Sequence, residues 1–240
     1  MRTIIVTILA LLAAVSVQAK TLVVYYSYTN NVKRIVDELR TKIDADVLEI
    51  EPTEKGLDYA ADNYAIGSAQ IAAIRNNPDD AASYPAIDPV DVNLSDYDCI
   101  IIGAPLWWSN MAAPLQTFLY QYGKEMEGKK IGLIVSSASS GINGVEADTK
   151  RLIPGGDFLS PSIWIRSFQT SNAGSMLDNW LKDINYDSLS SGISLISTDP
   201  YERYTVYSLY GVRLLSDVLS TAGLSTGIYI INGKKTIISK

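Results

Sequence analysis

Hydroxyl and amide side chains follow one another in the run Ser27-Tyr28-Thr29-Asn30-Asn31. The run comes directly after residues 21–26 (TLVVYY), an apolar segment typical of a buried strand. It precedes apolar residues at helical spacing: Val32, Ile35, Val36, Leu39 and Ile43. The unpaired N–H groups and positive dipole end of a helix N-terminus stabilise an anion, and ligands of open α/β sheets bind at this edge. The run therefore predicts an anion site, although a turn that only caps a helix has similar residues.

Two adjacent tryptophans follow a second apolar run. Residues 98–103 (DCIIIG) are typical of a strand buried on both faces, and the next residues are Ala104-Pro105-Leu106-Trp107-Trp108-Ser109-Asn110. Adjacent side chains of a strand or helix point in different directions, so both indoles do not fit easily into one core. Indole stacks well on a flat ring, which favours a platform for a ring-shaped ligand. The alternative is that one Trp belongs to the core and the other only shields the sheet.

Small residues form a third candidate loop. Residues 130–135 (KIGLIV) are another apolar run typical of a buried strand, and Ser136-Ser137-Ala138-Ser139-Ser140-Gly141 follow it. Small side chains allow backbone N–H groups to come close to the edge of a ligand ring. Such a segment is by itself also typical of a flexible serine loop, so its interpretation depends on the other two loops.

The residue inventory limits the possible chemistry. The chain has no histidine and one cysteine, which excludes Ser-His-Asp and Cys-His catalysis, most zinc sites and an intramolecular disulfide. Cys99 lies in the apolar run 98–103, where we expect a small core residue; a reactive thiol is the alternative. No side chain stands out as a general acid or base. Chemistry would therefore need a bound cofactor, or carboxylates, lysines and tyrosines.

Strands and helices alternate from residue 20 to about residue 187, and these elements must position the three loops. The predicted strands are residues 21–26, 46–50, 98–103, 130–135 and 158–165. After the helix that begins near Val32, the predicted helices are residues 57–74, 114–122, 144–153 and 173–184. This alternation indicates a parallel sheet with right-handed crossovers, in which the carboxyl ends of the strands share one edge.

Residues 1–19 have the layout of a secretory signal peptide. Arg2 precedes an apolar run, residues 4–15, which is shorter than the roughly 20 residues that span a bilayer. We therefore expect an exported protein, periplasmic, cell-surface or secreted, without stable membrane insertion after cleavage; an uncleaved anchor is the alternative. The net charge of −6 disfavours nucleic acid as a partner and is compatible with a basic partner protein.

The composition changes after residue 187. Residues 188–197 are serine-rich and linker-like, and residues 227–239 contain two strand-like runs joined by Asn232-Gly233, a strong hairpin signal. We therefore predict a linker and a small C-terminal β-hairpin module over residues 188–240. The module resembles the sorting domains of type IX secretion through Val206, Tyr207, Leu209, Gly211, Arg213, Gly227, Tyr229, Ile230, Gly233, Lys234 and Lys235. An accessory sheet without an export role is the alternative.

Together the three loops resemble the flavodoxin family over residues 21 to about 184. Ser27, Thr29 and Asn31 match the family's phosphate loop, residues 103–108 (GAPLWW) its G-x-P-x-W-W segment, and residues 136–144 its T-S-G-S-S-G-I-G segment. Four positions depart from the family: Asn30, Ala138 and Asn143 replace glycines, and Val32 replaces a threonine. Asn tolerates a left-handed backbone, so the turn can survive. The resemblance implies a flavodoxin-like, doubly wound, five-stranded parallel sheet of order 2-1-3-4-5 as a domain of residues 20–187.

The resemblance also implies non-covalent FMN as the cofactor. It assigns the FMN contacts to Ser27, Tyr28, Thr29, Asn30, Asn31, Val32, Pro105, Leu106, Trp107, Trp108, Ser136, Ser137, Ala138, Ser139, Ser140 and Gly141. The implied function is electron transfer or flavin-dependent reduction of the quinone- or flavin-reductase type, with a redox partner protein or a small reducible substrate. A cofactor-free exported binding module is the alternative, because a fold does not fix a function.

Overall fold

A computed structural model of the chain describes residues 19–190, 193–194, 203–221 and 223–238. These residues form two compact units. The first is Ala19–Asp187, and the second lies within Ser188–Lys240. The predicted signal peptide lies outside the described residues except for Ala19, as does part of the predicted linker. No helix among the residues that are described has the length and apolar character needed to cross a membrane.

A mainly parallel sheet forms the centre of the first unit. Its strands are β1 (Thr21–Tyr25), β2 (Asp46–Glu49), β3 (Cys99–Trp107), β4 (Asn110–Met111), β5 (Lys130–Ser137), β6 (Asp157–Phe158) and β7 (Ile163–Arg166). The parallel order is β2-β1-β3-β5-β6, and β7 also pairs with β5. Since β6 and β7 occupy the fifth predicted strand, this is the predicted order 2-1-3-4-5, and the flavodoxin-like fold is confirmed.

The bounds of three predicted strands differ clearly from those observed. The fourth strand, β5, continues past Val135 to Ser137, so Ser136 and Ser137 are strand residues rather than loop residues. The fifth strand is divided into β6 and β7, and Pro161, which has no N–H to donate to a neighbouring strand, lies between them. The third strand does not end at Gly103 but continues to Trp107 and returns through β4. Pro105, Leu106 and Trp107 are therefore strand residues rather than loop residues.

Helices cover both faces of the sheet. They are α1 (Asn31–Leu39), α2 (Ala61–Asn76), α3 (Ala113–Tyr122), α4 (Asn143–Leu152), α5 (Ala173–Asp183) and α6 (Tyr186–Ser190). Side chains of β1 alternate between two cores, with Leu22 and Val24 on one face and Val23 and Tyr25 on the other. All five residues of β1 are buried, as expected for a strand covered on both faces. Strand β1 is therefore covered on both faces, and the carboxyl edge of the sheet can present loops.

A small, mostly antiparallel sheet forms the second unit. Its strands are β8 (Ile193–Ser194), β9 (Tyr204–Tyr207), β10 (Arg213–Val218), β11 (Gly227–Ile231) and β12 (Lys234–Ile238). They lie in the order β10-β9-β11-β12-β8, with β8 parallel to β12. The predicted hairpin turn is present at Asn232 and Gly233, both left-handed with φ of 49° and 81°. The sheet is larger than the predicted hairpin, and its likeness to a sorting domain stays a prediction.

Candidate functional site

The register of the sheet brings the three predicted loops to one edge. Tyr25 pairs with Gly103, and Pro105 pairs with Ser136 in the next strand. The segments that follow β1 and β5 therefore lie on either side of the end of β3. This arrangement follows from parallel strands, whose carboxyl ends all point to the same side.

The first loop is a tight turn into α1. Asn30 has a left-handed backbone with φ of 61°, the conformation that the sequence analysis expected Asn to tolerate. The Ser27 hydroxyl accepts a hydrogen bond from the Lys33 backbone N–H (3.2 Å), and the Asn31 amide donates to the Thr29 hydroxyl (3.1 Å). Val32 is only 1% exposed and packs in the core, so its side chain does not line the turn.

The two tryptophans form a hairpin with strained backbone. Leu106 pairs with Met111 and Trp107 with Asn110, which leaves Trp108 and Ser109 as a two-residue turn. Both turn residues are left-handed, with φ of 46° and 65°, as a two-residue hairpin of this type requires. Neither is Gly or Asn, the residues that adopt this conformation at little cost. Something outside the turn must therefore hold it.

The two indoles have different surroundings. The Trp107 ring packs against the Tyr26 and Tyr59 rings, with centroids at 5.7 Å and 4.7 Å. Trp108 is 40% exposed, and its ring meets the edge of the Tyr64 ring at 6.5 Å. Trp107 thus belongs partly to the core, whereas Trp108 is partly exposed at the surface.

A cavity of about 320 Å³ joins the first two loops. The residues that line it are Tyr28, Thr29, Tyr59, Ala60, Tyr64, Gly67, Leu106, Trp107 and Trp108. Aromatic rings dominate this wall, which suits a flat aromatic ligand. Ser27 does not line this cavity but a neighbouring one of about 200 Å³, and Tyr28 and Tyr59 line both.

The helical pattern of the sequence did not indicate that residues 58–64, around the start of α2, contribute to the cavity. It predicted a regular helix over residues 57–74, but residues 62–64 are left-handed, and Tyr59 and Tyr64 reach the cavity. Tyr28 donates a hydrogen bond to Asp58 (2.9 Å), which raises the pKa of the phenol and lowers the pKa of the carboxyl. The two tyrosines were the available signal, but helical periodicity alone gives no indication that this segment turns towards Trp107.

The third loop lies at the same edge but does not line the aromatic cavity. Ser137 is buried, accepts a hydrogen bond from the Trp164 indole (2.8 Å) and donates one to the Ser139 carbonyl (2.9 Å). Ser136 is 4% exposed, and its hydroxyl has no hydrogen-bond partner among the described residues. Ala138, Ser139 and Ser140 are exposed. The structure therefore brings two of the three predicted loops into one cavity and places the third beside them.

These features fit FMN. The first turn of α1, which the structure describes in full, carries no acidic side chain that would repel a phosphate. The ring-lined cavity suits a flavin ring, and the unpartnered Ser136 hydroxyl could pair with a polar atom of a bound ligand. Among the residues described, no cluster of acidic and cysteine side chains could hold a metal ion.

Comparison with known proteins gives one family and several similar structures. A family model described as flavodoxin matches residues 20–184. A structure of a protein assigned as a flavoprotein, from Bacteroides eggerthii, is 22% identical, covers 70% of this chain and 98% of its own, and has a TM-score of 0.57. A flavoprotein from Lactobacillus acidophilus in complex with FMN is 25% identical, with 65% of this chain and 99% of that chain covered and a TM-score of 0.51. A similar Bacteroides uniformis protein is 24% identical, with 67% and 99% covered and a TM-score of 0.52.

Proposed function

Because the chain belongs to the flavodoxin family, we propose that it binds FMN non-covalently and uses it in electron transfer or flavin-dependent reduction. The aromatic cavity beside the N-terminus of α1 is the observation that carries this proposal. The similar Lactobacillus acidophilus protein, solved with FMN, supports the choice of flavin.

The phosphate would bind at the first loop. Thr29 and Asn31 offer a hydroxyl and an amide there, and the backbone N–H groups of the turn offer further donors. The Ser27 hydroxyl already accepts a hydrogen bond from the backbone but can still donate one. Val32 would contribute only its backbone N–H, because its side chain is buried.

The flavin ring would pack against aromatic side chains. Trp107 and Trp108 supply one wall of the cavity, and Tyr59 and Tyr64 add rings that the sequence analysis did not assign. Residues 136–141 would meet the pyrimidine edge, and the unpartnered Ser136 hydroxyl supports a polar contact there. Pro105 and Leu106 connect these regions along the end of β3. When bound, FMN supplies the redox chemistry, while these residues bind it, orient it and exclude water.

The remaining assignments are proposals that the sequence supports. The signal-peptide pattern of residues 1–19 supports export to the periplasm, the cell surface or the medium. The net charge of −6 supports a basic redox partner, while a small reducible substrate would also suit an exposed site. Stopped-flow mixing with NADH or NADPH distinguishes the two roles, since fast turnover favours a reductase and its absence favours a carrier.

The test is FMN retention and affinity. The purified protein, incubated with excess FMN and then dialysed, should remain yellow and quench flavin fluorescence. Thr29→Ala should weaken FMN binding about tenfold, because it removes a hydroxyl that can bond a charged phosphate. Thr41→Ala is the matched control, since Thr41 is an exposed hydroxyl just beyond the far end of α1 and donates to the Glu38 carbonyl.

Two outcomes would contradict the proposal. If the wild-type protein loses all flavin on dialysis, the cofactor-free binding module becomes the better explanation. If Thr29→Ala and Thr41→Ala bind FMN equally well, the Thr29 hydroxyl does not hold the phosphate as proposed.

A further inference from the structure

A buried carboxylate on α4 holds the strand that returns from the Trp107–Trp108 turn. Asp148 is 6% exposed, and its Oδ2 accepts hydrogen bonds from the Met111 backbone N–H (2.9 Å) and the Asn110 amide (2.8 Å). Asn110 and Met111 together are β4. A single carboxylate oxygen therefore fixes both residues of the returning strand.

The other polar atoms around β4 are also satisfied. The Gln116 amide donates to the Met111 carbonyl (2.7 Å), and Arg151 donates to both Gln116 (2.8 Å) and Asp148 (3.3 Å). Met111 is completely buried, so water cannot replace these hydrogen bonds if one partner is lost. The position of β4 therefore depends on this network.

The turn itself is held from the α2 side. Arg75 donates to the Trp108 carbonyl and, at 2.7 Å, to the Asn110 side-chain oxygen. The left-handed backbone of Trp108 and Ser109 is unfavourable for these residue types, so external bonds are needed to maintain it. Arg75 is exposed, and its side chain crosses from α2 to the turn.

We propose that Asp148 and Arg75 form a clamp that fixes the Trp107–Trp108 turn before FMN binds. Neither residue lines the aromatic cavity, so both are positioning residues that act through the indoles. A platform that is already ordered in the free protein avoids the entropic cost of ordering it when the ligand arrives. The proposal rests on the proposed function, because it takes these indoles as the wall against which FMN packs.

The test uses the indole N–H signals of the full-length protein in proton–nitrogen NMR spectra. The chain has four tryptophans, and Trp164 and Trp180 donate to Ser137 and Pro161 (both 2.8 Å), away from the clamp. In the flavin-free protein, Asp148→Asn should shift or broaden the signals of Trp107 and Trp108 and leave the other two in place. Trp→Phe substitutions assign the signals. General destabilisation would affect all four indole signals rather than those of Trp107 and Trp108 alone.

Binding provides the second measurement. Asp148→Asn should raise the dissociation constant for FMN about tenfold, because the platform must be ordered during binding. Glu146→Gln is the control, since it removes one negative charge from the same helix and leaves the network around β4 intact. Arg75→Met should act in the same direction as Asp148→Asn, and it keeps the clamp testable if the latter does not fold, because Arg75 is exposed.

The outcomes separate this proposal from the proposed function. Unchanged Trp107 and Trp108 signals in the folded variants would overturn the clamp, whether or not FMN binds. Selective shifts in the variants, together with a wild-type protein that does not bind FMN, would support the clamp and refute the flavin. Selective shifts with unchanged FMN affinity would overturn the role of the clamp in binding.

Discussion

Single residues show how the chain departs from its family at the first loop. Asn30 adopts the left-handed conformation with φ of 61° at the position where the flavodoxin pattern used in the sequence analysis has glycine, and its own carbonyl accepts the hydrogen bond from the Arg34 N–H that starts the helix. Val32, in the position of a threonine, is turned into the core. The departures therefore leave the turn intact and remove only a hydroxyl from it.

The single cysteine is a second feature at this scale. Cys99 is 1% exposed in β3, and burial raises the pKa of its thiol to about 12, so the reactive thiolate is rare. We expect a thiol reagent such as Ellman's reagent to label the native protein more than about a hundredfold more slowly than the unfolded chain. Rapid stoichiometric labelling without denaturant would show that Cys99 is accessible and reactive.

At the scale of elements, close approaches decide where the hairpin lies. A Cβ added to Gly144, at the start of α4, would lie 1.7 Å from the Ser109 carbonyl oxygen. One added to Gly67, in α2, would lie 3.0 Å from the Trp108 ring. The hairpin is thus enclosed between α2 and α4; a Cβ at Gly144 would clash with the backbone of the turn, and one at Gly67 would press closely on the Trp108 ring.

Gly144→Ala tests this packing. The new methyl group meets backbone atoms that cannot rotate away, so α4 or the turn must shift, and we expect a loss of about 1–3 kcal/mol in the free energy of unfolding. Urea denaturation measures it. Gly223→Ala is the control, because a Cβ there would meet nothing within 4 Å. Equal stability of Gly144→Ala and the wild type would mean that α4 and the turn are not in close contact.

At the scale of the whole molecule, buried ionisable groups set the response to pH. Burial raises the pKa values of Tyr26, Tyr59 and Tyr186 from the ordinary value of 10.0, and that of Cys99 from 9.0. These groups stay protonated in the folded protein at a pH where the unfolded chain releases its protons. Alkaline conditions therefore favour unfolding.

We expect the free energy of unfolding to be unaffected by these groups below about pH 9 and to fall as the pH rises from there towards about 12. Each group that titrates only in the unfolded chain contributes up to about 1.4 kcal/mol per pH unit. Urea denaturation at a series of alkaline pH values measures the slope. Cys99→Ala should reduce the slope at the start of this pH range, where the Cys99 thiol is the one group of this set that titrates in the unfolded chain. A constant free energy of unfolding up to about pH 11 would refute the assignment of buried, protonated groups.

The sequence by itself determined the alternation of strands and helices, the turn at Asn30 and the apolar strands that end at the candidate loops, whereas the order of the strands followed from the resemblance to the flavodoxin family. These features depend on local patterns: apolar runs, helical spacing and residues suited to a left-handed backbone. They were enough to indicate the edge at which a ligand would bind.

The tertiary structure decided which side chains surround that edge. Tyr59 reaches Trp107 across 48 positions of the chain, and Asp148 bonds Met111 across 37, yet nothing local marks either pair. The end of the third strand was also missed, because its return through β4 depends on a buried carboxylate supplied by a later helix. Contacts between distant segments form only when the sheet brings those segments together, so a local pattern cannot specify them.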